Sequence, residues 1–438
     1  MSADLYSWGR FPLLPQRGHS VSWRDELPAQ LERVVAQHRM TLPYGNGRSY
    51  GDSCLASSDE VLQMRSLDRL IEADWSQGVV LVEAGMTLAE LLALAIPRGW
   101  FLPVTPGTQF ATVGGAIAND VHGKNHHRRG TFAHHVASFG LLRHGEAPLQ
   151  CSLEENVELF AATLGGLGLT GLVSWAQLRL MPIKASQIDT TVVRFANLDE
   201  FFALSDELDE SHEYSVAWID CLAKGKDTGR GVFIVGDHAR YGSLEVNSRP
   251  RLQMPLTPPV SLINNLSLRA FNSLYWRVHP QQRTQRRSAY EPFFYPLDRL
   301  LNWNRIYGRK GFQQYQCVIP DANARDGMAE LLAAIAAAGQ GSFLAVLKRC
   351  GDMPSPGLLS FPMAGTSLAL DFPQSDALEQ QLFPRLDAIV RQAGGRLYPA
   401  KDAHMSGSDF RHAYPAWERL EALRDPTLMS RFWKRVIL

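Results

Sequence analysis

From the start of the chain to about Pro182, short apolar runs alternate with glycine-rich turns. The run Val79-Val80-Leu81-Val82, closed off by Gly78 and Gly85, reads as a buried strand. Residues 87–95 switch to a helical pattern that opens on a capping box, with Thr87 as N-cap and Glu90 three residues on. From about 185 to 395 the runs turn β-rich, as at 214–220, 232–235 and 315–319. Two helical patterns interrupt them, the alanine-rich 326–338 and 377–394. The final stretch is helical again, over 409–424 and 426–436. Elements in this order predict an α+β protein, with a sheet covered by helices on one face following a strand-and-helix N-terminal region.

Composition narrows the class without naming a function. With 438 residues, 45% of them hydrophobic and 20% charged, the chain has the profile of a two-domain globular protein. Its 44 basic and 44 acidic residues leave no global charge to attract nucleic acid, so any electrostatic message is local. Cys54, Cys151, Cys221, Cys317 and Cys350 form no Cys-x-x-Cys pair, which argues against a disulfide framework, a zinc site or an iron–sulfur cluster. The N-terminus lacks the basic start and apolar run of a signal peptide. The most apolar stretch, 88–96, falls well short of the roughly 20 residues that cross a bilayer. A cytoplasmic protein is expected, with peripheral contact at the inner face of the membrane left open.

One segment breaks the charge balance. Between Arg240 and Ser288 stand eight arginines and a single acidic residue, Glu245. Pro250, Pro255, Pro258 and Pro259 break the chain there, and Leu256, Val260, Leu262, Ile263, Leu266 and Leu268 lie between the charges. This composition predicts a basic flexible insertion over 240–288. It is either a solvated loop or a mobile lid that meets a phosphorylated lipid or an anionic membrane face.

Candidate chemistry sits in three glycine-dense clusters. The first is Pro43, Tyr44, Gly45, Asn46, Gly47, Arg48, Ser49, Tyr50, Gly51, Asp52 and Ser53. The second runs from Pro103 through Gly107, Thr112, Val113, Gly114, Gly115, Asn119 and His122 to His127, and the third from Thr163 through Gly168 and Gly171 to Val173. Closely spaced glycines let backbone approach an anion and aim N–H groups at it. The spacing matches neither a P-loop nor a Rossmann fingerprint. Three such loops suit a long ligand threaded along backbone, such as a dinucleotide. No metal is expected: His122 and His126 are four apart, but glycine intervenes and no Glu-x-x-His accompanies them.

Gly47-Arg-Ser-Tyr-Gly-Asp52, Val121-His-Gly-Lys-Asn-His-His127 and Gly168-Leu-Thr-Gly171 together resemble the vanillyl-alcohol-oxidase type of FAD enzymes. Within that type, the chain more closely resembles the flavoprotein oxidase subunits of decaprenylphosphoryl-β-D-ribose 2-epimerases. The likeness continues through 214–218, 303–308, 314–320, 347–349, 370–373 and 394–402, nearly the whole chain. It implies a two-domain fold: an FAD-binding domain made of 1–183 and 396–438, and an antiparallel-sheet substrate domain, 184–395, inserted between them. The FAD pyrophosphate is expected on 43–53 and 112–115, with Gly107, Asn119, His122, Val173 and Tyr398 completing the cofactor contacts. Relatives that attach FAD covalently through the first loop carry histidine in a Gly-Gly-His-Ser arrangement. Here Arg48 stands in that place, so FAD is expected to be bound non-covalently.

The same resemblance implies oxidation of the 2-hydroxyl of a polyprenyl-phosphoryl-β-D-ribose to the 2-keto intermediate, with hydride passing to flavin N5. A separate NADH-dependent reductase would then complete epimerisation to the arabinose donor of the cell envelope. Lys401 is expected to stabilise charge on the flavin and to reach the substrate, and either Tyr50 or His122 to act as base. Gln314, Gln316, Lys348 and Ser367 are expected at the sugar, with Trp218 and Tyr295 lining the pocket. The mycobacterial relatives carry Asn and Cys where Ser367 and Ala369 stand, so the sugar contacts differ at that strand. The alternative is an aldonolactone or alditol oxidase acting on a soluble sugar. A non-catalytic flavin-binding protein would have no need of Lys401 and Gln316.

Overall fold

The strand expected at 79–82 forms as Val79–Glu83 in a five-stranded antiparallel sheet. This and all that follows come from a computed structural model that describes residues 4–246, 251–279 and 281–438, without the side chains of 265 and 266. The strand order is Leu70–Asp74, Val79–Glu83, Leu172–Arg179, Val136–Leu142, Leu149–Ser152. Val80 and Val82 project into one core with Leu88, Leu91 and Leu92 of the helix Leu88–Ala95. That helix starts where expected: Thr87 Oγ1 accepts from Glu90 N at 3.3 Å, and Glu90 Oε2 accepts from Thr87 N at 2.8 Å. A three-stranded parallel sheet, Arg17–Ser20, Glu60–Gln63 and Pro43–Tyr44, delivers the chain into the first glycine loop.

The β-rich middle of the sequence builds an eight-stranded antiparallel sheet. Its order is Thr284–Ser288, Ile188–Phe195, Gly231–His238, Tyr214–Ile219, Ala345–Cys350, Gly365–Pro373, Phe312–Pro320, Arg396–Leu397. Side chains alternate across it. Tyr315, Cys317, Leu347, Leu368 and Leu370 enter an apolar core shared with the helices Leu198–Leu208, Ala324–Ala338 and Phe383–Gln392. The intervening Gln314, Gln316, Lys348 and Ser367 face the other way and border a cavity. One face is thus packed by helices, and the other is left for chemistry.

Two helices differ from expectation for local reasons. The 377–394 pattern opens with a π-helical turn, Leu378–Leu382, before Phe383–Gln392. Pro384 has no N–H to continue an ordinary ladder at that point. The 426–436 pattern becomes helix only at Arg431–Ile437, because Asp425 Oδ1 accepts from Thr427 N at 2.9 Å and folds the preceding residues into a turn. Ser430 then caps the helix through Trp433 N at 3.0 Å. These last helices return to the N-terminal loops: Thr41 bridges to Leu428, Ala56 to Ser430, and Arg435 pairs with Asp52 at 2.9 Å.

The segment expected to be a flexible insertion holds regular elements among the described residues. Leu252–Gln253 pairs with Leu300–Leu301, Asn265–Val278 is a helix, and Thr284–Ser288 is the edge strand of the large sheet. Buried Leu268, an Asn272 amide donating to Asp220 Oδ1 at 2.9 Å and Trp276 Nε1 donating to Phe195 O at 3.0 Å tie the helix down. Composition exposed the arginines but not these anchors. Residues 247–250, including Pro250, lie outside the described residues, as does Pro280. Among the described residues no helix is long and apolar enough to cross a membrane.

Candidate active site

The glycine loops and the open sheet face enclose one cavity of about 330 Å³, within the range of small-molecule sites. The first loop is shaped by Tyr44, whose hydroxyl donates to Tyr6 O at 2.6 Å. A Cβ on Gly47 would sit 2.1 Å from that hydroxyl, and Gly47 has a φ of 60°, so the turn requires glycine. Beyond it, the backbone N–H groups of Asn46, Gly47, Arg48 and Ser49 find no acceptor among the described residues. Consecutive free donors of this kind form a nest for an anion. The second loop works differently. Val113 N and Gly114 N donate to Met86 O and Ala84 O, and Gly115 N to Thr112 Oγ1. This turn offers close approach at glycine rather than free donors.

Most of the residues expected from sequence converge here. Pro43, Gly45 to Tyr50, Ser53, Gly107, Thr112, Gly114, Gly115, Asn119, His122, Val173, Tyr398 and Lys401 border the cavity from the loop side, and Gln314, Gln316, Lys348 and Ser367 from the sheet side. Six do not reach it. Tyr44 turns to Tyr6, Gly51 packs against the Asp402 carbonyl, and Asp52 pairs with Arg435. Val113 is buried in the core behind its loop. Trp218 lies against the Tyr275 ring, 4.6 Å between centroids, and donates Nε1 to Phe343 O. Tyr295 stands one layer back, its hydroxyl 2.7 Å from Oγ1 of Thr105, which does border the cavity.

Electrostatics set the character of the site. Burial pushes the Lys401 ammonium down to about 7, opposed by Asp371, and its Nζ lies 3.6 Å from the Tyr50 ring centroid. Burial likewise lowers Lys348 and Lys124 to about 8 each. Lys348 Nζ donates to Gly123 O at 2.9 Å. Against these three lysines the wall offers one carboxylate, Asp298, which burial pushes up to about 6 while it accepts from Gln109 N and Thr108 Oγ1. The cavity wall therefore carries more cationic than anionic groups.

Burial, with Asp371 and Asp298 nearby, raises the Tyr50 phenol well above its ordinary range. Burial and the Lys348 charge hold His122 well below the usual histidine range. The Gln316 amide lies 3.1 Å from His122 Nε2 and donates to it, which puts the ring proton on Nδ1. Nδ1 has no partner among the described residues. The neighbouring histidines are spent elsewhere: His126 Nδ1 accepts from Gly351 N, and His127 and His135 bond backbone carbonyls.

Several contributors escaped the sequence reading. Trp8 and Phe110 clamp the Arg48 guanidinium, whose Cζ lies 4.0 Å and 5.2 Å from their ring centroids. Asp371 is fully buried, accepts from Gln314 Nε2 at 2.6 Å and leaves Oδ2 without a partner. Its register pairing with Gln314 is the signal that would have found it. Lys124, in the Val121–His127 motif, also borders the cavity.

The free N–H groups of the first loop, the unpartnered buried Arg48 Nε and Ser53 Oγ, and the three buried lysines fit an elongated anionic cofactor. A sequence profile described as an FAD binding domain matches residues 22–146. The chain is 34% identical over 441 residues to the decaprenylphosphoryl-beta-D-ribose oxidase of Mycolicibacterium smegmatis, covering 96% of this chain and 94% of that protein. It is also 34% identical over 353 residues to an uncharacterized protein of Streptomyces coelicolor, with 77% and 95% covered. Similarity to the human Delta(24)-sterol reductase is 31% over 121 residues, confined to 28% of this chain and 23% of that enzyme.

Proposed function

The chain belongs to the decaprenylphosphoryl-β-D-ribose oxidase family of FAD enzymes, and on that premise we propose that it oxidises the 2-hydroxyl of a polyprenyl-phosphoryl-β-D-ribose to the ketone. The product is the 2-keto intermediate of an epimerisation, which a separate NADH-dependent reductase would return to the alcohol as the arabinose epimer. The observation that carries the reading is the cationic cavity itself: three buried lysines face one wall carboxylate. Lys401 and the first loop answer the FAD, which leaves Lys348 and Lys124 to meet a phosphate on the substrate. We read 1–183 with 396–438 as the FAD-binding domain and 184–395 as the substrate domain. The interleaving of Leu428, Ser430 and Arg435 with the first loops supports this division. A lipid-linked substrate also implies peripheral contact with the membrane that holds it.

Bound FAD supplies the hydride acceptor. The protein must orient the carbinol and remove the hydroxyl proton. Of the groups within reach, Tyr50 holds its proton too tightly, and His122 has its basic nitrogen occupied by Gln316. Lys401, pushed down to about 7, is matched to neutral pH and takes the proton. The ammonium so formed places a cation in the cavity as negative charge develops there. His122 Nδ1–H, Gln316 and Lys348 orient the sugar from the adjoining wall. Ser367 and Ala369 leave this wall shorter than an Asn and Cys pair would.

The test is regiochemical. Product formed from polyprenyl-phosphoryl ribose and reduced with borodeuteride should carry deuterium at C2 of the pentose. Deuterium at any other carbon, or none, overturns the assignment.

A further inference from the structure

We propose that the helix Asn265–Val278 and the adjoining 251–262 stretch form a docking surface for an anionic lipid bilayer, one that sets the cavity against the membrane carrying its substrate. This rests on the lipid-linked reading above. Eight of the sixteen exposed large apolar side chains among the described residues fall within 241–278. The others are scattered from Leu13 to Leu438. A concentration of this kind marks an interaction surface rather than ordinary apolar exposure.

The helix is amphipathic in an unusual sense. Leu268 and Asn272 are buried and hold it to the large sheet. Phe271, Leu274 and Val278, spaced three and four residues apart, form a second apolar stripe that faces solvent, with Leu274 64% and Val278 62% exposed. Arg269 and Arg277 are also exposed on it, and neither has a carboxylate partner among the described residues. In 251–262, Leu252, Leu256 and Val260 are each at least 66% exposed, and no acidic residue stands between 246 and 288. Apolar side chains flanked by the unpaired Arg269 and Arg277 suit the headgroup–acyl boundary of an anionic membrane.

The surface also lies beside the site. Leu252 N and Met254 N donate to Arg299 O and Leu301 O, and Leu262 N to Ile306 O. The stretch therefore overlies the loop whose Leu297, Asp298 and Trp303 border the cavity. The Phe271 ring stands 6.3 Å from that of Phe343, next to cavity-lining Leu344.

FAD-loaded protein should sediment with phosphatidylglycerol–phosphatidylcholine vesicles, and less with phosphatidylcholine alone. The double substitution L274S/V278S should lower the partition coefficient at least about tenfold, with the flavin spectrum unchanged. The double substitution R269Q/R277Q should weaken binding to anionic vesicles and flatten its salt dependence. Leu153→Ser, another exposed apolar position, should change nothing. Wild-type protein remaining in the supernatant, or L274S/V278S sedimenting like wild type, overturns the proposal. So does sedimentation velocity that finds a wild-type dimer turned monomeric by L274S/V278S, since the face is then a contact between copies. Vesicle binding is read without turnover, and reduction of the flavin by detergent-dispersed substrate is read without a membrane, so either reading fails separately.

Discussion

Gln314 donates its amide to Asp371 Oδ1 at 2.6 Å across the register that pairs the central strands Phe312–Pro320 and Gly365–Pro373. Lys401 Nζ lies over the Tyr50 ring, 3.6 Å from its centroid. The buried Asp371 carboxylate acts on Lys401 through its charge. Asp371 is itself pushed up to about 7 by burial, and its charge works to keep the proton on Lys401. From this follows a pH prediction. Lys401 must be neutral to accept a proton, so the rate of flavin reduction should rise with pH through about 7. Asp371→Asn removes the charge that supports the ammonium, so the midpoint should move to lower pH. Single-turnover rates across pH decide it; a midpoint unmoved or raised contradicts the coupling.

Lys401→Met should keep FAD and lose about 10³-fold in the rate of flavin reduction, the usual scale for removing a positioned acid–base group. Stopped-flow absorbance after anaerobic mixing measures it. A rate within a few-fold of wild type removes Lys401 from the chemistry.

Arg48 cannot form the histidyl link to flavin, and it is already clamped between Trp8 and Phe110. Acid precipitation should leave all the flavin in the supernatant. A yellow pellet that survives washing means a covalent bond elsewhere.

Gly47 has no room for a side chain, because Tyr44 cannot retreat without giving up its bond to Tyr6 O. Gly47→Ala should lose about 2 kcal/mol of stability and weaken FAD binding, since the strain falls on the turn that aims the free N–H groups. Thermal unfolding and flavin titration report the two effects.

Arg435 closes the C-terminal helix onto two loops at once, pairing with Asp52 and Asp402 at 2.9 Å each, and both carboxylates are almost wholly buried. Arg435→Gln leaves them without that cation and should destabilise the protein by about 3 kcal/mol. Chemical denaturation measures it; a change under about 1 kcal/mol would mean the carboxylates find other partners.

The sequence made the loops legible because glycine is irreplaceable where backbone must turn or approach closely, as at Gly47. The alternation of the large sheet was readable for the same kind of reason. Once 315–319 is a buried strand, Gln314 and Gln316 must share the opposite face. What stayed hidden depends on pairing between distant segments. Asp371 sits in an apolar run and looks like a strand end until the register sets it opposite Gln314. Trp218 shares a face with cavity-lining Val216, yet the helix Asn265–Val278 covers it, and that helix was concealed by its arginines. Tyr295 is one layer back because Thr105 stands in front of it.

A lipid-phosphate sugar is the proposed reductant of the flavin. The most direct measurement is the loss of the oxidised-flavin absorbance under anaerobic conditions, with a polyprenyl-phosphoryl ribose set against free alditols and aldonolactones. The lipid-linked pentose should bleach the flavin within seconds, while the free sugars leave it yellow. Bleaching by a free alditol or lactone, with none by the polyprenyl-phosphoryl ribose, would contradict the account.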